Sequence, residues 1–202
     1  MSATDETTGA ALHVALVHHP VRNRHGETVA TAVTNLDIHD LARSGRTYDV
    51  TNTWIVTPLE QQRSLVSRIV SHWQAGEGKT FNPIRAAAFE RVRVTASIES
   101  LIESIEAETG ERPVVIGTGA AVREGALSYD ACRARIAQGN GSVLLLFGTG
   151  WGLIDDVMAS CDHLLPGVNA MAGRDGYNHL SVRAAVAIIL DRLVGDRVDD
   201  PA

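Results

Sequence analysis

"LLLFGTGWGL" (residues 144–153) is the stretch on which the reading of this chain turns. An apolar run stops at Gly148, and Gly150 and Gly152 follow at two-residue intervals. Extended upstream to Ser142, the run is too apolar for a strand with one wet face. It suits a strand covered on both sides, as in parallel sheets. Glycines so spaced either close a strand in tight turns or let a ligand approach the main chain. The pattern alone leaves both readings open. It is not a dinucleotide fingerprint, because G-x-G-x-x-G is not matched and the segment falls late in the chain. No G-x-x-x-x-G-K-[ST] is present either.

Working outward, strand-like and helix-like segments alternate. Residues 12–17 (LHVALV), 53–57 (TWIVT), 91–96 (RVRVTA) and 113–119 (PVVIGTG) read as further strands. After the second, Thr57 as cap, Pro58 in the first turn and Glu60 predict a helix start. In that helix Leu65, Val66, Ile69, Val70 and Trp73 share one face. Ile98, Leu101, Ile102 and Ile105 mark another helix, closed near Gly110, and residues 128–139 a third. The last long helix, from about Leu180 to Val194, turns Val182, Ala185, Val186, Ile189, Leu190 and Leu193 inward. Strands apolar on both faces, alternating with helices, predict one α/β domain over 12–194 with a mostly parallel sheet covered on each side. Residues 1–11 and 195–202 read as loosely held ends. In such sheets ligands sit outside the carboxyl ends of strands, where Gly117, Gly119 and the 148–152 glycines fall.

Composition narrows the function. The formal net charge of -6 argues against an obligate polyanion binder, so contacts to nucleic acid must come from local basic patches. Aromatic residues at 4% argue against a stacking platform. No apolar run nears the ~20 residues of a membrane span, and the amino terminus lacks a signal pattern, so a cytoplasmic protein is expected. Cys132 and Cys161 stand apart beside apolar residues, as reduced structural thiols do. The eight histidines form no H-x-x-x-H pair, so no metal site is predicted. No G-x-S-x-G elbow offers a serine nucleophile. Two polar stretches remain. One, residues 18–50, carries Asn35, Asp37, His39, Asp40, Arg43 and Arg46 around a short helical face; the other, FNPIRAAAFERVRV, holds Arg85, Arg91 and Arg93.

Taken together, "LLLFGTGWGL", "HLLPGV" and "YNHLSVRAAVAIILDRL" resemble the carboxyl-terminal signature of the SPOUT superfamily of S-adenosylmethionine-dependent RNA methyltransferases. "HHPVRNRHGETVATAVTNLDIHDLARSGRTY" and "NPIRAAAFERVRV" are similar to a small bacterial RNA methyltransferase domain family within it, so the resemblance spans about residues 12–193. It implies a deep carboxyl-terminal trefoil knot, a homodimer through the knot region, and a tRNA or rRNA substrate. It also implies S-adenosylmethionine held by three loops: Gly117, Thr118 and Gly119; Phe147, Gly148, Thr149 and Gly150; and Leu165 and Gly167 with Asn178, His179, Leu180 and Ser181. Gly148 is then expected to leave the ligand's path clear, and Asn178 or Ser181 to cap the last helix. Many SPOUT enzymes carry an asparagine followed six residues later by an arginine. Arg43 matches the arginine, whereas Asp37 stands in the asparagine's place. The resemblance implies that Arg43 orients or activates the target, and leaves Asp37 as either a general base or an arginine-paired carboxylate. Two rival readings are a cofactor-binding regulatory or accessory module without catalysis, and an unknotted nucleotide-binding enzyme.

Overall fold

The computed structural model of the chain describes residues 9–120, 125–139, 141–169 and 177–196. In chain order the elements are β1 (Ala11–Val17), β2 (Val21–Arg22), β3 (Thr28–Val29), α1 (Asn35–Thr47), β4 (Asn52–Val56), α2 (Glu60–Gln74), α3 (Glu77–Phe81) and α4 (Pro83–Phe89). There follow β5 (Val92–Thr95), α5 (Ile98–Thr109), β6 (Val114–Gly117), α6 (Tyr129–Ala137), β7 (Ser142–Gly148), α7 (Asp155–Ser160), β8 (His163–Leu164) and α8 (Val182–Val194).

Six strands form one parallel sheet in the order β5-β4-β1-β7-β6-β8, while β2 and β3 make a separate antiparallel hairpin. The expected covering of both faces is seen in the alternation along each strand. Leu12, Val14 and Leu16 of β1, with Val143, Leu145 and Phe147 of β7, pack beneath residues of α1, α2, α4, α6 and α8. Ala15 and Val17, with Leu144 and Leu146, pack against α5, α7 and the β2 end. From β1 the chain first builds outward through β4 to β5, then fills the other side with β6 and β7. This reversal opens a crevice at the carboxyl ends of β1 and β7, where ligands bind in open α/β sheets.

Two details differ from expectation. Helix α2 starts at Glu60 with Leu59 as its cap and no side-chain cap bond. Thr57 is still tied to the sheet, its N–H donating to Thr95 O, and its buried hydroxyl accepts only the Leu59 N–H at 3.4 Å. Ala10 and Ala11, assigned to a loose end, are pinned by N–H bonds to Ile136 O (2.8 Å) and Gly141 O (3.0 Å); residues 1–8 and 197–202 lie outside the described part. The expected carboxyl-terminal knot concerns the chain after Gly148, of which residues 170–176 also lie outside the described part. Both cysteines are free, and burial pushes each thiol up to about 11.

Candidate cofactor cleft and its neighbouring groove

Three loops converge at the crevice. The loop leaving β7 contributes Phe147, Gly148, Thr149 and Gly150; the loop leaving β6 contributes Thr118 and Gly119; the entry to α8 contributes Asn178, His179, Leu180 and Ser181. They enclose about 630 Å³ together with His18 and Asp37, within the usual range for small-molecule sites. Ser181 is the α8 cap, accepting from Ala184 N at 3.2 Å. Asn178 instead reaches across to Asn169 Oδ1 at 2.6 Å, joining the α8 entry to the loop after β8.

The other three residues expected to line the cleft stand behind it. Gly117 lacks a side chain because a Cβ would meet Leu164 Cδ2 at 2.9 Å and Cys161 Sγ at 3.0 Å. A Cβ on Gly167 would meet Ala120 O at 2.6 Å. Leu165 is buried, its N–H donating to Gly117 O at 2.9 Å. These three lock the β8 strand and its exit loop against β6. Gly148 lines the cleft, but its lack of a side chain also serves the loop itself. A Cβ there would collide with the backbone N of Leu153, so this glycine lets the 148–153 loop fold on itself.

Asp37 borders the cleft but is fully engaged. One carboxylate oxygen accepts from Thr34 N (3.0 Å) and Oγ1 (2.7 Å), completing the α1 capping box, and the other takes Arg183 Nη1 at 2.9 Å. Burial favours the neutral acid, but the Thr34 and Arg183 bonds outweigh it and hold the carboxyl below its ordinary range. A carboxylate so paired is a poor base; its visible work is to dock α8 on α1. Arg183 also pairs with Asp40 at 3.1 Å, and Tyr48 donates to Asp191 at the other end of the two helices, which therefore run parallel.

Arg43 is not brought to the cleft. Six residues at about 100° each carry it well round α1 from Asp37. It lines instead an open groove with Asn35, Leu36, His39, Trp73 and Arg85.

Sequence reasoning missed His18. Its side chain is buried at the end of β1 and borders the cleft, with Nε2 unpartnered. Burial lowers its pKa to about 4, against a smaller upward pull from Asp37, so the ring is neutral at pH 7. A chain of hydroxyls engages its other nitrogen: Nδ1 lies 3.0 Å from Thr31 Oγ1, which is hydrogen-bonded to Thr149 Oγ1, itself 3.1 Å from Val17 O. Nε2 is the ring atom left facing the cleft without a partner. The signal was a histidine directly after an apolar strand, within a pair, His18 and His19, that motif spacing cannot separate.

Fold and cleft thus define a parallel-sheet α/β domain that binds a small ligand at its topological switch point. Residues 11–195 match the family described as SAM-dependent RNA methyltransferase, and the chain belongs to that family. It is 44% identical over 191 residues to a tRNA (guanine-N(1)-)-methyltransferase of Oleidesulfovibrio alaskensis, covering 95% of this chain but only 44% of that protein. The chain therefore spans less than half the length of that relative. An uncharacterized protein of Aquifex aeolicus is 38% identical over 180 residues, with 89% of this chain and 86% of that one covered. Among solved structures, the SpoU methyltransferase AviRb from Streptomyces viridochromogenes, in complex with AdoMet, superposes with a TM-score of 0.56 at 17% identity, covering 100% of this chain and 64% of that one. The chain shares its fold with that SpoU methyltransferase.

The residues present fit S-adenosylmethionine. Phe147, Val168, Val182, Ala185 and Ile189 give the cleft apolar surface for an adenine ring. The orphaned His18 Nε2, the Asp37 carboxylate and Thr118 are among its buried polar groups. Among the described residues, no three His, Cys, Asp or Glu side chains gather as a metal site would need.

Proposed function

We propose that this chain binds S-adenosylmethionine in the cleft between the β6, β7 and α8-entry loops and methylates a nucleotide of tRNA or rRNA. The observation that carries the reading is the convergence of those loops on one crevice, beside an orphaned histidine nitrogen. When bound, S-adenosylmethionine supplies a methyl group already activated on a sulfonium, so the protein must position the acceptor and manage one proton. In this reading the loops hold the cofactor through backbone groups that Gly119, Gly148 and Gly150 leave approachable. His18 Nε2, neutral and unpartnered at the cleft, offers a hydrogen-bonding position to the cofactor or the target atom. Asp37 and Arg183 keep the α1 and α8 walls in register. Arg43 orients the nucleic acid from the neighbouring groove.

The active form is a homodimer joined through the knot region; Trp151, Tyr177 and Leu180, large and exposed near the cleft mouth, support a covered surface there. Two free thiols and an RNA substrate accord with a cytoplasmic protein. Among the described residues no helix is long and apolar enough to cross a membrane. One observation favours a second reading, a regulatory S-adenosylmethionine-binding module: Asp37 is fully paired and Arg43 lies outside the cleft.

Calorimetric titration with S-adenosylmethionine and S-adenosylhomocysteine, with NAD as control, tests the site. Binding of both adenosyl ligands without NAD is expected, with about 2.7 kcal/mol of added stability at ~100 times the dissociation constant. Absence of binding overturns the reading. If binding is present but cellular RNA modification is unchanged in an Arg43→Ala strain, the regulatory reading is preferred.

A further inference from the structure

Among the described residues five arginines are ion-paired: Arg22 with Asp155, Arg46 and Arg91 with Asp49, Arg112 with Asp162, and Arg183 with Asp37 and Asp40. Three others without a carboxylate partner lie close together, in a protein whose net charge is -6. The groove between α1, α2 and α4 is built of two adjoining depressions that share Asn35, His39 and Trp73; Arg43 and Arg85 line one, Arg68 lines the other, and no carboxylate lines either. None of the three makes an ion pair or a side-chain hydrogen bond. Arg85 stacks over the Trp73 ring at 5.0 Å, which holds its guanidinium in place without neutralising it. His39 packs edge-on to Trp73 and Phe89, so the floor is rigid and aromatic. Nearby in the chain, Phe81 at the end of α3 and Ile84 on α4 are 88% and 87% exposed.

Three unneutralised guanidinium groups cost self-repulsion, offset within the chain only by the contact of Arg85 with Trp73. An anionic partner repays that cost, and phosphate matches the planar donor fork of arginine. The groove also adjoins the cleft. Asn35 and Leu36 line it, while Ala32 and Asp37, within a few residues on the same turn, line the cleft.

We infer that the α1–α2–α4 groove is the docking surface for the RNA backbone, where Arg43, Arg68 and Arg85 contact successive phosphates. The inference rests on the proposed RNA methyltransferase function and adds where its substrate lies.

The test uses the full chain and unfractionated bacterial tRNA in filter binding across a salt series. Arg68→Ala with Arg85→Ala is expected to flatten the slope of log K against log salt by about 2, because each phosphate contact contributes about one unit. Arg68→Glu with Arg85→Glu is expected to weaken binding at least roughly 30-fold, while Arg85→Lys with Arg68 intact retains most of it. Arg135→Glu, the same charge reversal on α6 away from the groove, is expected to change tRNA affinity less than twofold, against several-fold for Arg68→Glu. S-adenosylhomocysteine titration of each variant checks that the cleft is intact, and sedimentation records the oligomeric state. Unchanged tRNA affinity in the double variants overturns the inference, as does an Arg135→Glu effect equal to that of Arg68→Glu. Dissociation of a dimer with tRNA affinity preserved overturns it in favour of a second copy of this chain in the groove. Loss of S-adenosylhomocysteine binding in the wild type is a failure of the cleft assignment instead.

Discussion

Acidification to pH 5 should strip this protein of a large part of its stability, through two histidines. His13, in the middle of β1, and His18, at its end, are 1% and 0% exposed. His13 has neither ring nitrogen partnered, and His18 lacks a partner at Nε2. Burial lowers both from 6.5 to about 4. The unfolded chain thus takes up protons below pH 6.5 that the folded chain refuses until about pH 4. Stability is complete above the unfolded value and is lost as pH falls through that window. A 2.5-unit difference is worth about 3.4 kcal/mol per group in full, at about 1.36 kcal/mol per unit. At pH 5 the loss is about 2 kcal/mol each, or about 4 kcal/mol together, a large fraction of a stability of roughly 5–15 kcal/mol. Asp37 and Asp162, whose carboxyls lie below 3.8, add their losses only under that pH, so the windows separate. Urea unfolding at pH 7.5 and 5.0 reads the difference directly, and thermal unfolding should drop by roughly 8–16 °C. His13→Leu, an apolar side chain among Ala15, Leu144 and Leu146, should remove about half of the pH dependence. His18→Gln should remove the other half. A wild-type difference below about 1 kcal/mol, or an undiminished dependence in the double variant, refutes the reasoning.

Further outcomes follow from single contacts. Arg183→Ala leaves the Asp37 carboxylate buried without its cation, although Arg183 itself is about a quarter exposed, so a loss of about 1–3 kcal/mol is expected in urea unfolding, with the Asp37 pKa moving upward by NMR titration. Leu59→Ser supplies the cap bond that α2 lacks and should raise stability by about 0.5–1 kcal/mol, read as a higher urea midpoint at unchanged slope. Gly148→Ala should lower the melting temperature of the ligand-free protein as well as abolish S-adenosylhomocysteine binding, because its Cβ meets the Leu153 backbone; an unchanged ligand-free melting temperature would show that the glycine serves the ligand alone. Gly152→Ala meets open space but must hold φ near +94°, so it should cost about 1–2 kcal/mol and leave the protein folded.

The strands and most helices were legible in the sequence because local rules decide them. The run at 142–148 is a strand since its residues are apolar on both faces, and α5 ends at Gly110 in the left-handed conformation that glycine allows. The glycine-bearing loop ends also lay where a parallel sheet gathers its ligands. What the sequence by itself could not decide was how side chains far apart in the chain share their partners. Asp37 is committed by Arg183, 146 residues on. The engagement of His18 Nδ1 depends on Thr31 and on Thr149, whose hydroxyl closes a chain begun at another strand. Arg43, Arg68 and Arg85 share one groove only because α1, α2 and α4 pack on the same sheet face. Periodicity and propensity act over one or two turns of chain, and they determined the elements. Pairing, burial and charge neutralisation act through space, so only the tertiary structure decided which polar groups were already engaged and which remained free for a ligand.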